Sequence, residues 1–276
     1  MAYAQVVKPG SKVKLKDIDP DYHDGLTEEA ALSKLLKLSE GLGDLQELLY
    51  ASKLNSLLVV LQGRDTSGKD GSIRRILNYS NVQSTRVVPF KVPTELEAGH
   101  DFLWRIHRAS PGKGDVTIFN RSHYEDVVVV RVHDLVPKKV WKKRYDDINS
   151  FERMLVENGT LILKFYLHIS KDEQEKRLLD REAHPAKYWK LSVGDWKERE
   201  LWSAYTDAYE DALEKCSTEE APWRIVPANH KWFRDLAIAE AVEQVLKPQE
   251  NRWMESLKEK GDLEKKAIDA FRKGAS

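Results

Sequence analysis

Residues 57–71 read Leu-Leu-Val-Val-Leu-Gln-Gly-Arg-Asp-Thr-Ser-Gly-Lys-Asp-Gly, and this stretch decides the fold. The apolar run 57–61 is typical of a strand that is buried on both faces of a parallel sheet. It leads into Gly63-x-x-x-x-Gly68-Lys69, where glycines let the backbone approach an anion and the lysine adds a positive charge. A helix that begins at Lys69 would point its positive end at the same anion. The stretch therefore predicts a phosphate-binding loop between a strand and a helix.

The loop departs from the usual pattern at two positions. Asp70 follows the lysine, where Ser or Thr usually binds Mg²⁺, and Asp65 places a carboxylate among groups that attract anions. Phosphate would repel such a carboxylate unless a cation lay between them, and Mg²⁺ is often bound through carboxylates. We interpret Asp65 as a metal ligand or as a group that orients the attacking oxygen. The alternative is a glycine-rich turn that binds no ligand.

The rest of the loop and several basic residues are candidates for binding phosphate or nucleotide. The loop candidates are Gly63, Arg64, Thr66, Ser67, Gly68, Asp70 and Gly71. Arg74 and Arg75 follow the loop, and Lys231 with Arg234 follows the last predicted strand. Together these four would form a basic track at the carboxyl edge of the sheet, although each alone is equally typical of an ordinary surface.

Composition restricts the class of protein. The chain has 276 residues, 41% of them apolar, and its 45 Lys and Arg balance its 45 Asp and Glu. A net charge of zero argues against binding nucleic acid through bulk electrostatics. The single cysteine, Cys216, excludes an internal disulfide and fits a reducing, cytoplasmic location. Residues 1–10 lack the apolar core of a signal peptide, and no apolar run is long enough to span a membrane.

Strand and helix signals alternate along the chain, which predicts a three-layer α/β fold with a parallel five-stranded sheet. The predicted strands are 57–61, 85–90, 116–119, 161–169 and 223–227. One helix is predicted over 94–109, and 182–197 is predicted to be irregular. We expect a single domain over 1–276, with an N-terminal arm and helix within 1–55, a helical lid at about 177–200 and a C-terminal helical tail over 248–276.

A second group of polar residues follows the strand 116–119. Asn120 and Arg121 end this strand and should lie beside the phosphate loop, because ligands bind beyond the carboxyl ends of parallel strands. Asn120 would be a neutral metal ligand or would hydrogen-bond a metal-bound water, and Arg121 would clamp a phosphoryl oxygen. Arg121 could instead pair with Glu125, four residues on. Glu125 and Asp126 are either further metal or orienting carboxylates or a solvated helix face.

The helix before the predicted lid carries two arginines. Arg177 and Arg181 are four residues apart and therefore share one helix face. Lids over phosphoryl-transfer sites commonly bring arginines inward to neutralise charge and exclude water. The alternative is a surface helix with ordinary ion pairs.

Several of these motifs together resemble the polyphosphate kinase 2 family. They are Gly63-Arg-Asp-Thr-Ser-Gly-Lys-Asp-Gly71, Phe90-Lys-Val-Pro-Thr94, Phe119-Asn-Arg-Ser-His-Tyr-Glu-Asp126, Lys164-Phe-Tyr-Leu-His-Ile-Ser-Lys-Asp-Glu-Gln174, Trp189-Lys190, Ala221-Pro-Trp223 and Pro227-Ala-Asn229. The similarity extends over roughly residues 15–247. It implies a phosphate-loop kinase fold similar to that of thymidylate kinases, with a lid.

The resemblance also implies an activity, the transfer of a terminal phosphoryl group between inorganic polyphosphate and nucleotides with Mg²⁺, for which Mn²⁺ could substitute. The implied catalytic residues are Asp65, Lys69, Asn120, Arg121, Arg177 and Arg181, and the candidate metal ligands are Asp65, Asn120 and Asp126. Family members often have Asp where this chain has Asn120, and the Asn form resembles the branch that accepts both AMP and ADP.

The resulting hypothesis is an enzyme that moves phosphoryl groups reversibly between polyphosphate and AMP, ADP or ATP, with guanine nucleotides as further candidates. We expect a homo-oligomer, with no nucleic-acid or membrane partner. Two alternatives remain from the sequence: a nucleoside monophosphate kinase that uses ATP as donor, and a nucleotide- or polyphosphate-binding module without turnover.

Overall fold

A computed structural model of the chain describes residues 2–274. At its centre is a six-stranded sheet with the strand order β1-β6-β5-β2-β4-β3. The strands are β1 (Gln5–Val6), β2 (Ser56–Gln62), β3 (Thr85–Pro89), β4 (Val116–Asn120), β5 (Thr160–His168) and β6 (Trp223–Pro227). The expectations for Met1 in the arm and for residues 275–276 of the tail lie outside the described residues.

The prediction of five strands, all parallel, is corrected by β1. Strands β2 to β6 form the predicted parallel sheet, but β1 adds an antiparallel edge, with Gln5 opposite Ile225 on β6. The chain continues along this edge, because the Val7 amide donates to the Trp223 carbonyl at 2.9 Å. A strand of two residues is too short to show the alternation by which a strand is recognised in sequence.

Helices cover both faces of the sheet. They are α1 (Glu28–Ser52), α2 (Lys69–Leu77), α3 (Glu95–Ala98), α4 (Trp104–Ala109), α5 (Glu125–Val132), α6 (Lys138–Glu157), α7 (Lys171–Ala183), α8 (Val193–Glu200), α9 (Trp202–Lys215), α10 (Lys231–Leu246) and α11 (Glu250–Gly274). Short 3-10 turns lie at Leu15–Asp17, Pro185–Lys190 and Lys247–Gln249. No helix within residues 2–274 combines the length and the apolar character needed to cross a membrane.

The single helix predicted over 94–109 is wrong, because α3 ends at Ala98 and α4 begins at Trp104. Gly99 is a poor helix former. The carboxylate of Asp101 accepts a hydrogen bond from the Leu103 amide at 3.0 Å, which offers the backbone a turn instead of a continuing helix. The capping box expected at Thr94 is present, with Glu97 as its partner.

Residues 182–197, predicted to be irregular, are partly helical. They contain the 3-10 turn Pro185–Lys190 and the first half of α8. The Ser192 side chain accepts from the Gly194 amide at the start of α8, which is the capping role that favours serine at this position. A proline at a helix start and a serine N-cap can both be recognised in a sequence. These helical segments were therefore predictable from local signals.

Strand β2 shows how the three layers form. Successive side chains of a strand point to opposite faces, so Leu57, Val59 and Leu61 pack towards α1, α2, α10 and α11. Leu58 and Val60 pack towards α4, α5, α6 and α9. Every residue of β2 is buried, as the continuous apolar run predicted.

The N-terminal arm packs into the layer that contains α4, α5, α6 and α9. Val7, Val13 and Leu15 are buried in its core. The Leu15 amide donates to Glu210, and the Val13 amide donates to Glu214, both at 2.8 Å. These bonds fix the arm along α9, close to the loops at the carboxyl ends of the strands.

Candidate active site

The phosphate loop lies where β2 ends, beside the end of β4. Leu61 pairs with Asn120 across these two strands, so residues that follow them share one edge of the sheet. Gly63 and Gly68 have φ values of +152° and +103°. A Cβ on Gly63 would lie 2.7 Å from Ser67 Oγ, and one on Gly68 would overlap the Arg234 guanidinium. Both positions therefore require glycine, as the sequence pattern predicted.

Lys69 closes the loop on itself. Its Nζ donates to the carbonyls of Gly63 at 2.7 Å and Arg64 at 3.1 Å. Burial, with help from the nearby charge of Arg121, lowers the pKa of Lys69 to about 8. A phosphate bound to the loop would counter both effects and favour the charged amine.

Arg121 joins the end of β4 to the loop. One of its nitrogens lies 2.7 Å from the carboxylate of Asp65, and another lies 3.0 Å from that of Glu125. The predicted pairing with Glu125 is therefore present, and it coexists with a contact to the loop. Burial opposes the charge of Arg121, but the two carboxylates outweigh it and raise the pKa of the guanidinium. Arg121 stays cationic and is held at the loop by two anions.

Asn120 and Asp70 contact each other in the lining of the same site. The Asn120 amide donates to Asp70 at 3.0 Å, so its carbonyl oxygen points away from that carboxylate. The ammonium of Lys190 lies 3.8 Å from the same aspartate. These contacts bring together the end of β4, the start of α2 and the segment between α7 and α8.

These residues line a cleft of about 500 Å³. Its basic side chains are Lys69, Arg74, Arg121, Arg177, Arg181, Lys187, Lys190, Lys231 and Arg234, and its carboxylates are Asp65, Asp70 and Asp180. Nine cationic side chains against three anionic ones make the cleft strongly positive in a chain with no net charge. Such a surface attracts a polyanion locally.

The two arginines of α7 have different environments. Arg177 is buried and donates to the backbone carbonyls of Thr66, Ala228 and Asn229. These bonds tie α7 to the phosphate loop and to the loop after β6. Arg181 pairs with Asp195 of α8 at 2.6 Å, so its guanidinium links α7 to α8.

Several predicted contact residues lie outside the lining of the cleft. The Arg64 side chain stacks on Trp202 at 3.7 Å and donates to Thr206 at 2.6 Å, which turns it towards α9. Arg75 faces Asp235 of α10 at 3.6 Å. Gly63 lines a smaller, separate pocket together with Arg64, and Ser67 is buried. Thr66, Gly68, Asp70, Gly71, Arg74 and Lys231 do line the cleft.

Asp126 has a different setting from the other two candidate metal ligands. Its carboxylate lies 3.1 Å from Arg144 and 3.7 Å from Arg105. Asp65 and Asn120 line the basic cleft, but Asp126 does not. Burial raises the pKa of Asp126 even though two arginines oppose this effect. The structure therefore brings together Asp65 and Asn120 but pairs Asp126 with arginines.

A second groove, of about 540 Å³, adjoins the basic cleft. Its apolar lining consists of Pro89, Phe90, Val92, Pro93, Val129, Val130 and Leu135. Asn120 and Arg121 line both the groove and the cleft, so a molecule in one meets a molecule in the other at these residues. Glu125 stands in the wall of the groove. A groove of this size with a few polar groups suits a small organic molecule.

Sequence reasoning missed Lys187, Lys190 and Asp180 in the cleft and the apolar wall of the groove. The two lysines are three residues apart within the predicted lid, a spacing that could have indicated a shared face. Phe90 and Leu135 lie 45 positions apart in sequence, so only the folded chain shows that they face each other.

The residues that line the cleft are suited to bind a divalent cation together with substrate phosphates. Within residues 2–274, no group of three or more His, Cys, Asp or Glu side chains forms a ready-made metal site. Mg²⁺ is usually held by one or two carboxylates together with substrate phosphates and water. Asp65 and Asp70 supply two carboxylates on the cleft, and Asn120 adds a neutral oxygen.

Comparison with known proteins gives a consistent result. The family model "Polyphosphate kinase 2 (PPK2)" matches residues 25–253. The chain is 50% identical over 242 residues to the "AMP/ADP-polyphosphate phosphotransferase" of Meiothermus ruber, covering 87% of this chain and 91% of that protein. It is 42% identical over 256 residues to the "ADP-polyphosphate phosphotransferase" of Rhodopseudomonas palustris, covering 87% and 88%.

A solved structure of a relative has the same fold as this chain. The crystal structure of polyphosphate kinase 2 from Arthrobacter aurescens TC1 superposes with a TM-score of 0.84 at 40% identity, covering 90% of this chain and 92% of that one. The α/β phosphate-loop fold predicted from residues 57–71 is therefore confirmed, with one more strand than expected.

Proposed function

Because the chain belongs to the polyphosphate kinase 2 family, we propose that it moves the terminal phosphoryl group of inorganic polyphosphate to ADP and AMP, reversibly. It is a polyphosphate:nucleotide phosphotransferase. One observation carries the site assignment: a strongly basic cleft and an apolar groove share Asn120 and Arg121. Two substrates would meet there, one a polyanion and the other carrying an apolar ring system.

Polyphosphate would occupy the basic cleft. A linear anion with a charge on each phosphate needs several cations spaced along a path rather than one deep pocket. Lys231 and Arg74 lie on the cleft together with the phosphate loop. Lys187 and Lys190 come from the segment between α7 and α8, so the lid segment would add charge to the donor site.

The acceptor nucleotide would place its base and ribose in the apolar groove. Phe90 and Pro93 offer flat apolar surface, and Val129 and Leu135 form the facing wall. The acceptor's terminal phosphate would then point at Arg121, towards the cleft. We propose adenine nucleotides as the main acceptors and guanine nucleotides as secondary ones, since the apolar lining suits either purine.

The reaction would rest on positioning and charge neutralisation. The attacking oxygen belongs to a phosphate that is already anionic, so the reaction needs little general base. Arg121 would leave Asp65 for the phosphoryl group as negative charge spreads over its equatorial oxygens. Lys69 would turn from the loop carbonyls to the same group. Asp65, freed from Arg121, would face the cation.

We propose that Asp65, Asn120 and Asp70 hold Mg²⁺ together with the substrate phosphates, and that Mn²⁺ can replace it. The bound ion supplies charge neutralisation between the two phosphate chains. Asp65 lies within the loop, where only an intervening cation makes a carboxylate compatible with phosphate. We do not include Asp126 in this set, because two arginines already surround it.

We propose further that residues 177–200 act as a lid, that the chain forms one domain and that it works in the cytoplasm as a homo-oligomer, without a membrane or nucleic-acid partner. The ion pair between Arg181 and Asp195 joins α7 to α8, and Lys187 and Lys190 between these helices line the cleft. The balanced overall charge supports a partner that binds through a local site.

Product analysis separates this function from its alternatives. The purified chain is incubated with polyphosphate, Mg²⁺ and ADP, with no ATP supplied, and AMP replaces ADP in a parallel reaction. We expect ATP from ADP and ADP from AMP. A chain that makes ADP only from ATP and AMP would be a nucleoside monophosphate kinase. Tight binding of polyphosphate without any product over hours would indicate a binding module.

A further inference from the structure

A buried polar cluster lies beneath the turn that carries Arg121. It consists of His123 and Tyr124 from the turn, Glu152 from α6 and Lys164 from β5. All four side chains are at most 1% exposed. None of them lines the basic cleft or the apolar groove, so the cluster has no direct contact with the proposed substrates.

Glu152 is the centre of the cluster. Its Oε1 accepts hydrogen bonds from the Tyr124 hydroxyl at 2.8 Å and from His123 Nε2 at 3.0 Å. A carboxylate can only accept, so this contact assigns the proton to Nε2. The other oxygen, Oε2, pairs with Lys164 Nζ at 2.6 Å, and the same amine donates to the Tyr124 hydroxyl and to the Cys216 carbonyl.

Stability alone does not explain why this buried ion pair is present. Removing two charges from water costs several kcal/mol per ion, and a well-packed apolar pair of similar volume is often as stable or more stable. Breaking such a pair on one side leaves a buried charge without a partner. A buried, fully bonded pair is better explained by the geometry that it fixes, and here it fixes two consecutive residues of one turn.

That turn contains a strained residue. Arg121 has φ of +62°, a conformation that costs free energy in any residue with a Cβ and persists only when the surroundings over-determine it. Its amide donates to the Leu61 carbonyl at 3.1 Å. On the far side, His123 and Tyr124 are fixed by Glu152. The strained residue is therefore held from both ends.

We propose that Glu152, neutralised by Lys164, is a positioning residue for phosphoryl transfer. It anchors His123 and Tyr124 and thereby keeps Arg121 in the left-handed conformation that aims the guanidinium across the loop at Asp65. This role rests on the proposed function, because it assigns Glu152 to the geometry of that same site. A shift of about 1 Å in a catalytic group costs about 10²-fold in rate.

Two double variants separate positioning from folding. Both replace Lys164 with Met, so neither contains the buried cation. Glu152→Gln/Lys164→Met keeps an oxygen that accepts from His123 and Tyr124, whereas Glu152→Met/Lys164→Met has the same length and no acceptor. We expect the Gln variant to keep kcat within about fivefold of wild type and the Met variant to lose about 10²-fold, with KM for polyphosphate and ADP changed little. Thermal unfolding is measured for both.

A third measurement tests whether Glu152 acts through Arg121. Each double variant is combined with Arg121→Ala. If Glu152 works by placing Arg121, the Gln and Met forms have the same residual kcat in this background, because residues that act as one unit are non-additive. Should the Met form be unfolded at the assay temperature, Tyr124→Phe removes one anchor while leaving the ion pair intact. It is expected to lower kcat about fivefold at unchanged KM, as the loss of one hydrogen bond implies.

Equal kcat in the Gln and Met forms would overturn the proposal, as would unchanged kcat in Tyr124→Phe or losses that multiply fully with Arg121→Ala. Wild type is assayed in parallel with polyphosphate and ADP. An inactive wild type contradicts the proposed function, whereas an active wild type with equal variants contradicts only the role of Glu152.

Discussion

Arg121 links the parts of the site at the scale of a single residue. It contacts Asp65 in the loop and Glu125 in α5, and it lines both the basic cleft and the apolar groove. Two carboxylates hold the Arg121 guanidinium near the place where phosphoryl charge would develop. Substrate phosphate would then compete with Asp65 for Arg121.

Arg121→Ala should therefore lower kcat by about 10³-fold, as the loss of a transition-state arginine does in other phosphoryl-transfer enzymes. Arg121→Lys should recover only part of this loss, because an ammonium cannot form two parallel hydrogen bonds. Steady-state rates with polyphosphate and ADP measure both effects. Arg153→Ala, an exposed arginine on α6, is the control and should match wild type. Rates within about tenfold of wild type for Arg121→Ala would remove Arg121 from the mechanism.

The lowered pKa of Lys69 predicts that activity falls as the pH rises. Its pKa of about 8 means that the free enzyme carries the charged amine below pH 8 and loses it as pH rises. A plot of kcat/KM, which reports the free enzyme, should fall above pH 8. Bound phosphate raises the pKa of Lys69, so the fall in kcat should lie at higher pH. In Lys69→Arg, whose guanidinium stays charged, the residual activity should lack this limb. A profile flat to pH 10 in wild type would contradict the assignment.

Sequence predicts single residues well where the backbone alone decides their role. Gly63, Gly68 and Lys69 were identified because the loop pattern requires them, and the structure gives the two glycines the expected positive φ values. Lys69 Nζ donates to a carbonyl of its own loop, and its contact with phosphate stays a prediction. Arg64 and Arg75 were predicted as phosphate contacts, but their side chains face Trp202 and Asp235. The direction of a long side chain depends on neighbours that are distant in sequence.

At the scale of elements, the parallel strands and their helices were predictable, and the short elements were not. Strands β2 and β5 are long apolar runs, whereas β1 has two residues and gains its place from its partner β6. The break between α3 and α4 follows from a local turn at Asp101 that competes with the helix. The N-terminal arm was predicted, but its packing along α9 depends on tertiary contacts.

The arm should contribute to stability, although its sequence is polar. Leu15 is buried in the layer that contains α4, α5, α6 and α9, and its amide donates a hydrogen bond to Glu210. Leu15→Ala should cost about 2–5 kcal/mol and lower the Tm by roughly 5–10 °C for a chain of this size. Differential scanning calorimetry measures the shift. Leu36→Ala on α1, where the leucine is 65% exposed, should leave the Tm within about 1–2 °C. Equal shifts in the two variants would show that the arm is not part of the core.

At the scale of the whole molecule, the chain has no excess of either charge, but its charges are distributed unevenly. The chain is neutral overall, yet the cleft gathers nine basic side chains. The groove beside it combines an apolar wall with three basic and two acidic side chains. The basic cleft at the carboxyl edge of the sheet therefore attracts a polyanion, and we propose that the adjoining groove accepts a purine nucleoside.

This division predicts different salt responses for the two substrates. Raising KCl from 0.1 M towards 1 M shortens the screening length from about 10 Å to about 3 Å. KM for polyphosphate should rise by an order of magnitude or more, and KM for ADP should rise less because apolar contacts contribute to its binding. Lys231→Ala should raise KM for polyphosphate and flatten its salt dependence. Parallel responses of the two KM values would contradict separate donor and acceptor sites.

The central claim is that donor and acceptor meet end to end at Arg121, and a crystal structure of the complex tests it most directly. Crystals would contain Mg²⁺, a short polyphosphate and a non-reactive ADP analogue. We expect polyphosphate along Lys69, Lys231, Lys187 and Lys190, the base against Phe90 and Pro93, and the two terminal phosphates facing each other beside Arg121. Either substrate bound away from these surfaces, with the cleft or the groove empty, would contradict it.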